Sequence, residues 1–427
     1  MTHLLEDLKS FLNNSPTSWH AALEIGNRLA LKEFIPLNEN EKWHLEQGKK
    51  YFVQRGGSLC AFILPTMKPE CALILGSHTD SPSLKIKPNP LILTENMITI
   101  GVEVYGSPLL TSWLNRDLAI AGRIVVSDKE GNLEEKLIFI DDAPLIIPQL
   151  AIHLDREVNE KGVILNKQDH LAAIACLQGK PESSAYLEKV IRRQHFFNAL
   201  ISYDLFLVPM EESRFIGHEG EMLASHRLDN LASAHASVVA LVSAKSPLPH
   251  TLQMGLFWDH EEIGSSTSEG ALSPFGEDLL KRISFCLNLN DEEFFLLKHR
   301  SFALSIDMAH AFNPNYSHKH EINHRPLLGK GIVIKFNANQ KYVSNAPQIA
   351  IIIEACHKLN LPFQNYVARS DMISGSTIGP LFSATTGIRT LDIGCAQLSM
   401  HATREIISCA DHLGMCQLLT YLLEHQK

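Results

Sequence analysis

Three apolar runs in this chain stop on charge. Leu252–Trp258 reads as a buried strand and ends in Asp259, His260, Glu261 and Glu262, followed by Gly264. Cys71–Gly76 runs straight into Ser77, His78, Thr79 and Asp80, and Phe302–Ile306 runs into Asp307. Strands of this kind belong inside a sheet, and α/β folds place their sites at strand ends. On an extended backbone Glu261 and Glu262 point to opposite sides. One can then hold a metal while its neighbour faces a water, the ligand and base that metal-assisted hydrolysis needs. Taken alone, a solvated acidic loop explains the stretch equally well.

The texture along the chain sets the frame. Residues 3–13 and 18–30 are predicted helices, with a break at Ser15–Thr17, and 51–64 is a hairpin around Arg55–Ser58. From about 90 to 222 the strand–helix alternation lapses into short strands at 98–104, 121–126 and 137–140, with one helix expected at 184–199. Alternation returns near 225: a helix to 244, strands at 252–258, 302–307 and 331–336, a helix at 346–358, a strand at 363–368, a helix at 376–384, a strand at 388–393, and helices over 405–425. Strands alternating with helices imply a sheet covered on both faces. The expected architecture is α/β: a split catalytic domain, 1–87 and 225–427, with a helix-covered central sheet, and an inserted β-rich association domain at 88–224.

Composition excludes several classes. At 427 residues the chain exceeds one simple core, and 45% hydrophobic with 20% charged residues is ordinary for a soluble protein. A net charge of −9 argues against a general nucleic-acid binder. The N-terminal residues carry charge where a signal peptide is apolar, and no apolar run reaches membrane-spanning length. The eight cysteines form no Cys-x-x-Cys pair, as expected of reduced thiols in a cytoplasmic protein.

Each candidate ligand has a local alternative. His78 can be a core histidine, although Asp80 two residues on is placed to fix its tautomer. Asp229 can simply cap the helix that follows it. Asp307 ends an apolar strand, where a buried carboxylate needs a partner or a metal. His401, after Ala396–Met400, is ambiguous by itself.

Taken together, in order, the segments Gly76–Pro82, Arg227–Leu231, Glu261–Ser265, Asp307–His310, Lys319–Pro326 and Ser399–His401 resemble the M18 metallopeptidases, the aspartyl aminopeptidase family, from about residue 10 to the C-terminus. The resemblance implies two divalent metals, zinc above all, with cobalt or manganese also suited, bridged by Asp229. His78 and Asp307 would bind one ion, Glu262 and His401 the other. Glu261 would be the general base and Asp80 would orient His78. It further implies a preference for N-terminal Asp or Glu read by Lys335, whose strand alternation alone decides nothing. Gly375 and Ser376, in a Gly-rich loop before a helix, would contact substrate, and His153 would reach a neighbouring subunit's site. The family builds tetrahedral dodecamers from dimers, so a homo-oligomer acting on peptides is expected, with neither nucleic acid nor membrane as partner. Asn313 departs from the pattern, since the family commonly has histidine there, and 155–225 matches poorly.

The reading is a cytoplasmic dinuclear aminopeptidase that removes acidic N-terminal residues. An aminopeptidase of broader specificity, and a catalytically weak shell or cargo protein, stand as alternatives.

Overall fold

A computed structural model describes residues 2–177, 186–244 and 247–425. The chain divides into two compact units, one of residues 1–80, 213–400 and 405–427, the other of 81–212 with 401–404. The boundary expected at 87/88 falls within the strand Ser83–Thr94, and the one at 224/225 within Met222–Ser225.

The first unit is built on a nine-stranded sheet. Its order is Ile35–Leu37, Lys50–Arg55, Ser58–Ile63, Thr251–Trp258, Cys71–His78, Phe302–Ile306, Arg389–Gly394, Ile332–Phe336 and Phe363–Val367. The three runs that end on charge lie side by side and parallel: 71–78 is central, with Trp258 opposite His78 on one flank and Ser305 opposite Gly76 on the other. Every residue of 251–258 is buried, the signature of a strand covered on both faces. One face packs under the helices Leu228–Ser243 and Cys409–His425, through Leu231, Leu241, Leu418 and Leu422. The other packs under Phe275–Cys286 and Ile378–Thr386, through Phe275, Leu279 and Phe382. A smaller five-stranded sheet completes this unit.

The second unit carries a six-stranded sheet, ordered Leu133–Leu145, Leu118–Ser127, Ala199–Pro209, Ser83–Thr94, Met97–Tyr105 and Ala173–Leu177, over a core that includes Trp113, Ile120 and Leu205.

Three expectations of local structure are corrected. The helix expected at 184–199 is Tyr186–Ile191, its first two residues lying outside the described residues, and residue 199 opens the long strand Ala199–Pro209. Residues 405–408 form a strand paired with 222–225, so one helix, not several, closes the chain. The helix Asp291–Arg300 had no counterpart in the sequence reading, although Asn290 and Glu293 form a reciprocal capping box, a pattern visible in the sequence.

Candidate metal centre

The three parallel strands deliver their terminal residues to one edge of the sheet. His78 ends the first, Asp259–Glu262 follow the second, and Asp307 follows the third. Asp229 arrives from above, at a kink in the first turn of the helix Leu228–Ser243 where the Asp229–Asn230 peptide is cis. Its backbone N–H donates to Glu405 Oε2 at 3.1 Å. The N-cap position of this helix is Arg227, and Asp229 lies inside the first turn, so it is not the cap that its local sequence suggested.

The turn after Trp258 is not extended. His260 adopts a left-handed conformation at φ 63°, and Glu261–Ile263 form a single 3-10 turn closed by Gly264 at φ 92°. This corrects the extended backbone expected for the paired glutamates. The corner is held from below: Asp259 accepts from Ser18 Oγ and from the His260 N–H, both at 2.8 Å. Asp80 holds it from the side. Its Oδ1 accepts from the Glu261 N–H and its Oδ2 from the Glu262 N–H, each at 3.1 Å. The aspartate's carboxylate thus fixes the Glu261–Glu262 turn as well as lying beside the His78 ring.

His78 is fixed by the same residue in another way. Its Nδ1–H donates to the Asp80 backbone carbonyl at 3.0 Å, with Asp80 Oδ1 3.3 Å away. Nε2 then faces Asp229 Oδ1 at 3.4 Å and Asp307 Oδ1 at 3.8 Å. Ligand atoms of His78, Asp229 and Glu262 all lie within 4.8 Å of one another.

Charge accumulates here. Burial works against a charged His78 ring, yet Asp229, Asp307 and Asp80 together raise its pKa well above the ordinary value. Burial pushes Glu261 up to about 8, against the pull of His78 and helped by Asp307, Asp80 and Asp229. Five carboxylates gather around one imidazole, and the ammonium of Lys335, only 2% exposed, stands 3.4 Å from Asp307 Oδ2. Like charges held this close are relieved by protonation or by cations among them. An imidazole with several carboxylates is a donor set for divalent zinc, cobalt or manganese, so the residues present fit the group.

Lys335 is buried against this cluster, over the Tyr342 ring at 5.2 Å. Gly375, in the loop before Ile378–Thr386, lines a cavity of about 310 Å3 with Asn313, His310 and His320, while Ser376 Oγ donates to the Lys341 carbonyl at 3.4 Å. Asn313 caps the short turn Pro314–Lys319 by accepting from the Asn315 N–H at 3.0 Å. His401 belongs to the second unit by its contacts; its Nδ1–H donates to the Ser107 carbonyl at 3.0 Å, which leaves Nε2 as the basic nitrogen. His153 is exposed on the second unit.

Two residues of this region escaped the sequence. Glu405, 1% exposed, steadies Asp229 from a strand that looked helical. Asp392, fully buried, accepts from Thr377 Oγ1 at 2.7 Å and the Val343 N–H at 2.6 Å, and burial pushes its pKa up to about 6. A carboxylate inside the apolar strand 389–394 was the available signal.

Residues 11–422 match the family profile of the aminopeptidase I zinc metalloproteases, M18. The chain belongs to the M18 metallopeptidase family. This M18 enzyme is 40% identical over 414 residues to a probable M18 family aminopeptidase 2 of Clostridium acetobutylicum, covering 95% of each chain. It is 36% identical over 466 residues to a probable aspartyl aminopeptidase of Ricinus communis, covering 99% of this chain and 94% of that one. Its fold matches the solved dodecamer of mApe1 from S. cerevisiae with a TM-score of 0.87 at 25% identity, over 100% of this chain and 98% of that one. The M18 chain is accordingly a metallo-aminopeptidase with a mixed α/β fold. Among its described residues no helix is long and apolar enough to cross a membrane.

Proposed function

We propose that this M18 enzyme is a dinuclear aminopeptidase that removes N-terminal Asp or Glu from peptides in the cytoplasm, as a homo-oligomer. The observation that carries the proposal is the gathering of His78, Asp80, Asp229, Glu261, Glu262 and Asp307 at one edge of three parallel strands. Two divalent ions, zinc in the family, supply the Lewis-acid chemistry that polarises a scissile carbonyl and acidifies water. His78, Asp229 and Asp307 would hold one of them; Asp229 and Glu262 would hold the other, with His401 as a further ligand on the family pattern. Glu261 would take the proton from water and give it to the leaving amine nitrogen. Asp80 keeps Glu261 and Glu262 in their turn.

The acidic preference rests on Lys335, whose buried ammonium is a fixed positive charge beside the carboxylate cluster, and on the aspartyl aminopeptidase among the relatives. Gly375 and Ser376 serve as substrate contacts, and the exposed His153 serves a neighbouring subunit. The second unit serves as the association surface; the dodecamer solved for a relative supports an assembly here, built from dimers into a tetrahedral dodecamer.

Glu261→Gln tests the base. It keeps size and hydrogen-bonding capacity but cannot accept the proton. Zinc content and secondary structure should stay at wild-type levels, while kcat falls by roughly 100-fold or more. An unchanged kcat in metal-replete protein removes Glu261 from the role.

A further inference from the structure

A second group of metal-ligating side chains lies in the first unit among the helices that cover the sheet. His235 projects from Leu228–Ser243, and His412 and Cys416 from Cys409–His425. Their spacing of four residues puts His412 and Cys416 on one face of their helix. All three are buried, at 0%, 1% and 4% exposure. His235 Nδ1 is 3.0 Å from His412 Nε2, and that same Nε2 is 3.5 Å from Cys416 Sγ. One ligand atom from each lies within 4.8 Å of the other two.

The surroundings set the tautomer. Asp7 Oδ2 stands 3.0 Å from His235 Nε2, and Arg28 holds that carboxylate at 2.7 Å. His235 therefore donates its Nε2–H to Asp7, and its Nδ1 accepts from the His412 Nε2–H, so a metal ion bound here takes the place of that hydrogen bond and moves the His412 proton to Nδ1. The Asp7–His235 pair is the carboxylate–histidine arrangement that fixes a metal-binding imidazole. With zinc bonds of about 2.0–2.1 Å to nitrogen and 2.3 Å to sulfur, tetrahedral donors sit roughly 3.3 Å apart for two nitrogens and roughly 3.5 Å for nitrogen and sulfur. The Cys416–His412 separation meets this, and the two imidazoles need to part by a few tenths of an ångström.

Charge also balances. Arg28 is paired with both Asp7 and Glu24, the latter at 2.8 Å, which leaves one net negative charge. A Cys416 thiolate adds a second, and a divalent ion brings the buried group to neutrality. Burial pushes both imidazoles toward the neutral form. Burial also raises the Cys416 thiol, so binding must release its proton.

We propose that His235, His412 and Cys416 form a second metal site, separate from the carboxylate cluster, for one thiophilic divalent ion of the zinc class, with Asp7 as the positioning residue for His235. Three protein donors leave a fourth position, which a water would fill. The site joins two helices that are far apart in sequence and, through Asp7, the N-terminal helix Thr2–Asn13.

Cobalt distinguishes this site from the catalytic one. The carboxylate cluster offers no sulfur donor, so cobalt there gives no thiolate-to-cobalt charge-transfer absorption. Full-length protein produced in cobalt-supplemented minimal medium should show that near-ultraviolet band. Cys416→Ser should lose the band and one bound ion per chain while keeping its turnover. Asp7→Asn, which leaves all three ligands in place, should weaken cobalt binding at this site by roughly 10–100-fold and keep the band at saturation. Cobalt-replete, active wild-type protein without the band overturns the proposal, as does a band of undiminished strength in Cys416→Ser.

Discussion

Replacing Asp80 with Asn tests what the carboxylate does at the corner of the site. In the wild type its two oxygens each accept one backbone N–H, from Glu261 and Glu262, at 3.1 Å. Asparagine keeps one oxygen and presents an amide NH2 where the other stood. One of the two N–H groups then faces a donor. A hydrogen bond to a charged group is worth about 1.5–3 kcal/mol, and a buried donor left unsatisfied costs about 1–3 kcal/mol. These overlap, so a combined loss of about 2–4 kcal/mol falls on the 261–263 turn. At about 1.36 kcal/mol per tenfold, kcat/KM should fall by roughly 30- to 1,000-fold if the turn transmits the loss to the transition state. His78 behaves differently, because its Nδ1–H rests on the Asp80 backbone carbonyl, which the substitution keeps. Metal held through His78 should therefore survive. The assay is kcat and KM on an Asp-starting peptide, with bound zinc measured on the same sample. A kcat/KM within about threefold of wild type, a change of about 0.7 kcal/mol, refutes the anchoring role.

Lys335→Ala should depress cleavage of Asp- and Glu-starting peptides more than that of Ala- and Leu-starting ones; equal loss across all four would dissociate Lys335 from the acidic preference. Asp7 governs acid stability. Its hydrogen bond to His235 first, then Arg28 against the cost of burial, lowers its pKa from 3.8 to about 2. A depressed carboxylate stabilises the fold above its unfolded pKa and loses that contribution as pH falls from about 4 through about 2. Discounted for partial exposure, the contribution is about 1–2 kcal/mol. Urea unfolding of chelator-treated protein should show Asp7→Asn less stable than wild type at pH 6, with the gap narrowing as pH falls from about 4 through about 2; a gap independent of pH contradicts the assignment.

The strands that carry the site were legible because each is an apolar run that stops on charge, and burial on both faces leaves such runs little alternative. Their adjacency was not legible, since pairing 71–78 with both 251–258 and 302–306 is decided by the whole sheet. The glutamate turn was misread for a local reason. His260 takes a left-handed conformation with no glycine or asparagine to announce it. Lys335 alternates like any strand lysine, and only the neighbouring strands decide that its ammonium is buried against Asp307. Glu405 carries no mark at all, because its partner is a backbone N–H 176 residues away. In the second unit, Ala199–Pro209 mixes polar and apolar residues without a clean period, so the sequence reading let a helix run up to its first residue.

The order of the central strands has a consequence for synthesis. The strand that carries His78 lies between two partners that the ribosome makes much later, the farther one ending at residue 306. At roughly 5–20 residues per second, the nascent chain waits on the order of 10–45 s between exposing His78 and completing the strand before Asp307. Through that interval residues 81–212, which hold their own sheet and core, have emerged and can fold as a body. An unfinished polypeptide thus lacks the sheet edge on which the hydrolytic residues meet, and proteolytic competence becomes a late event in the life of each chain.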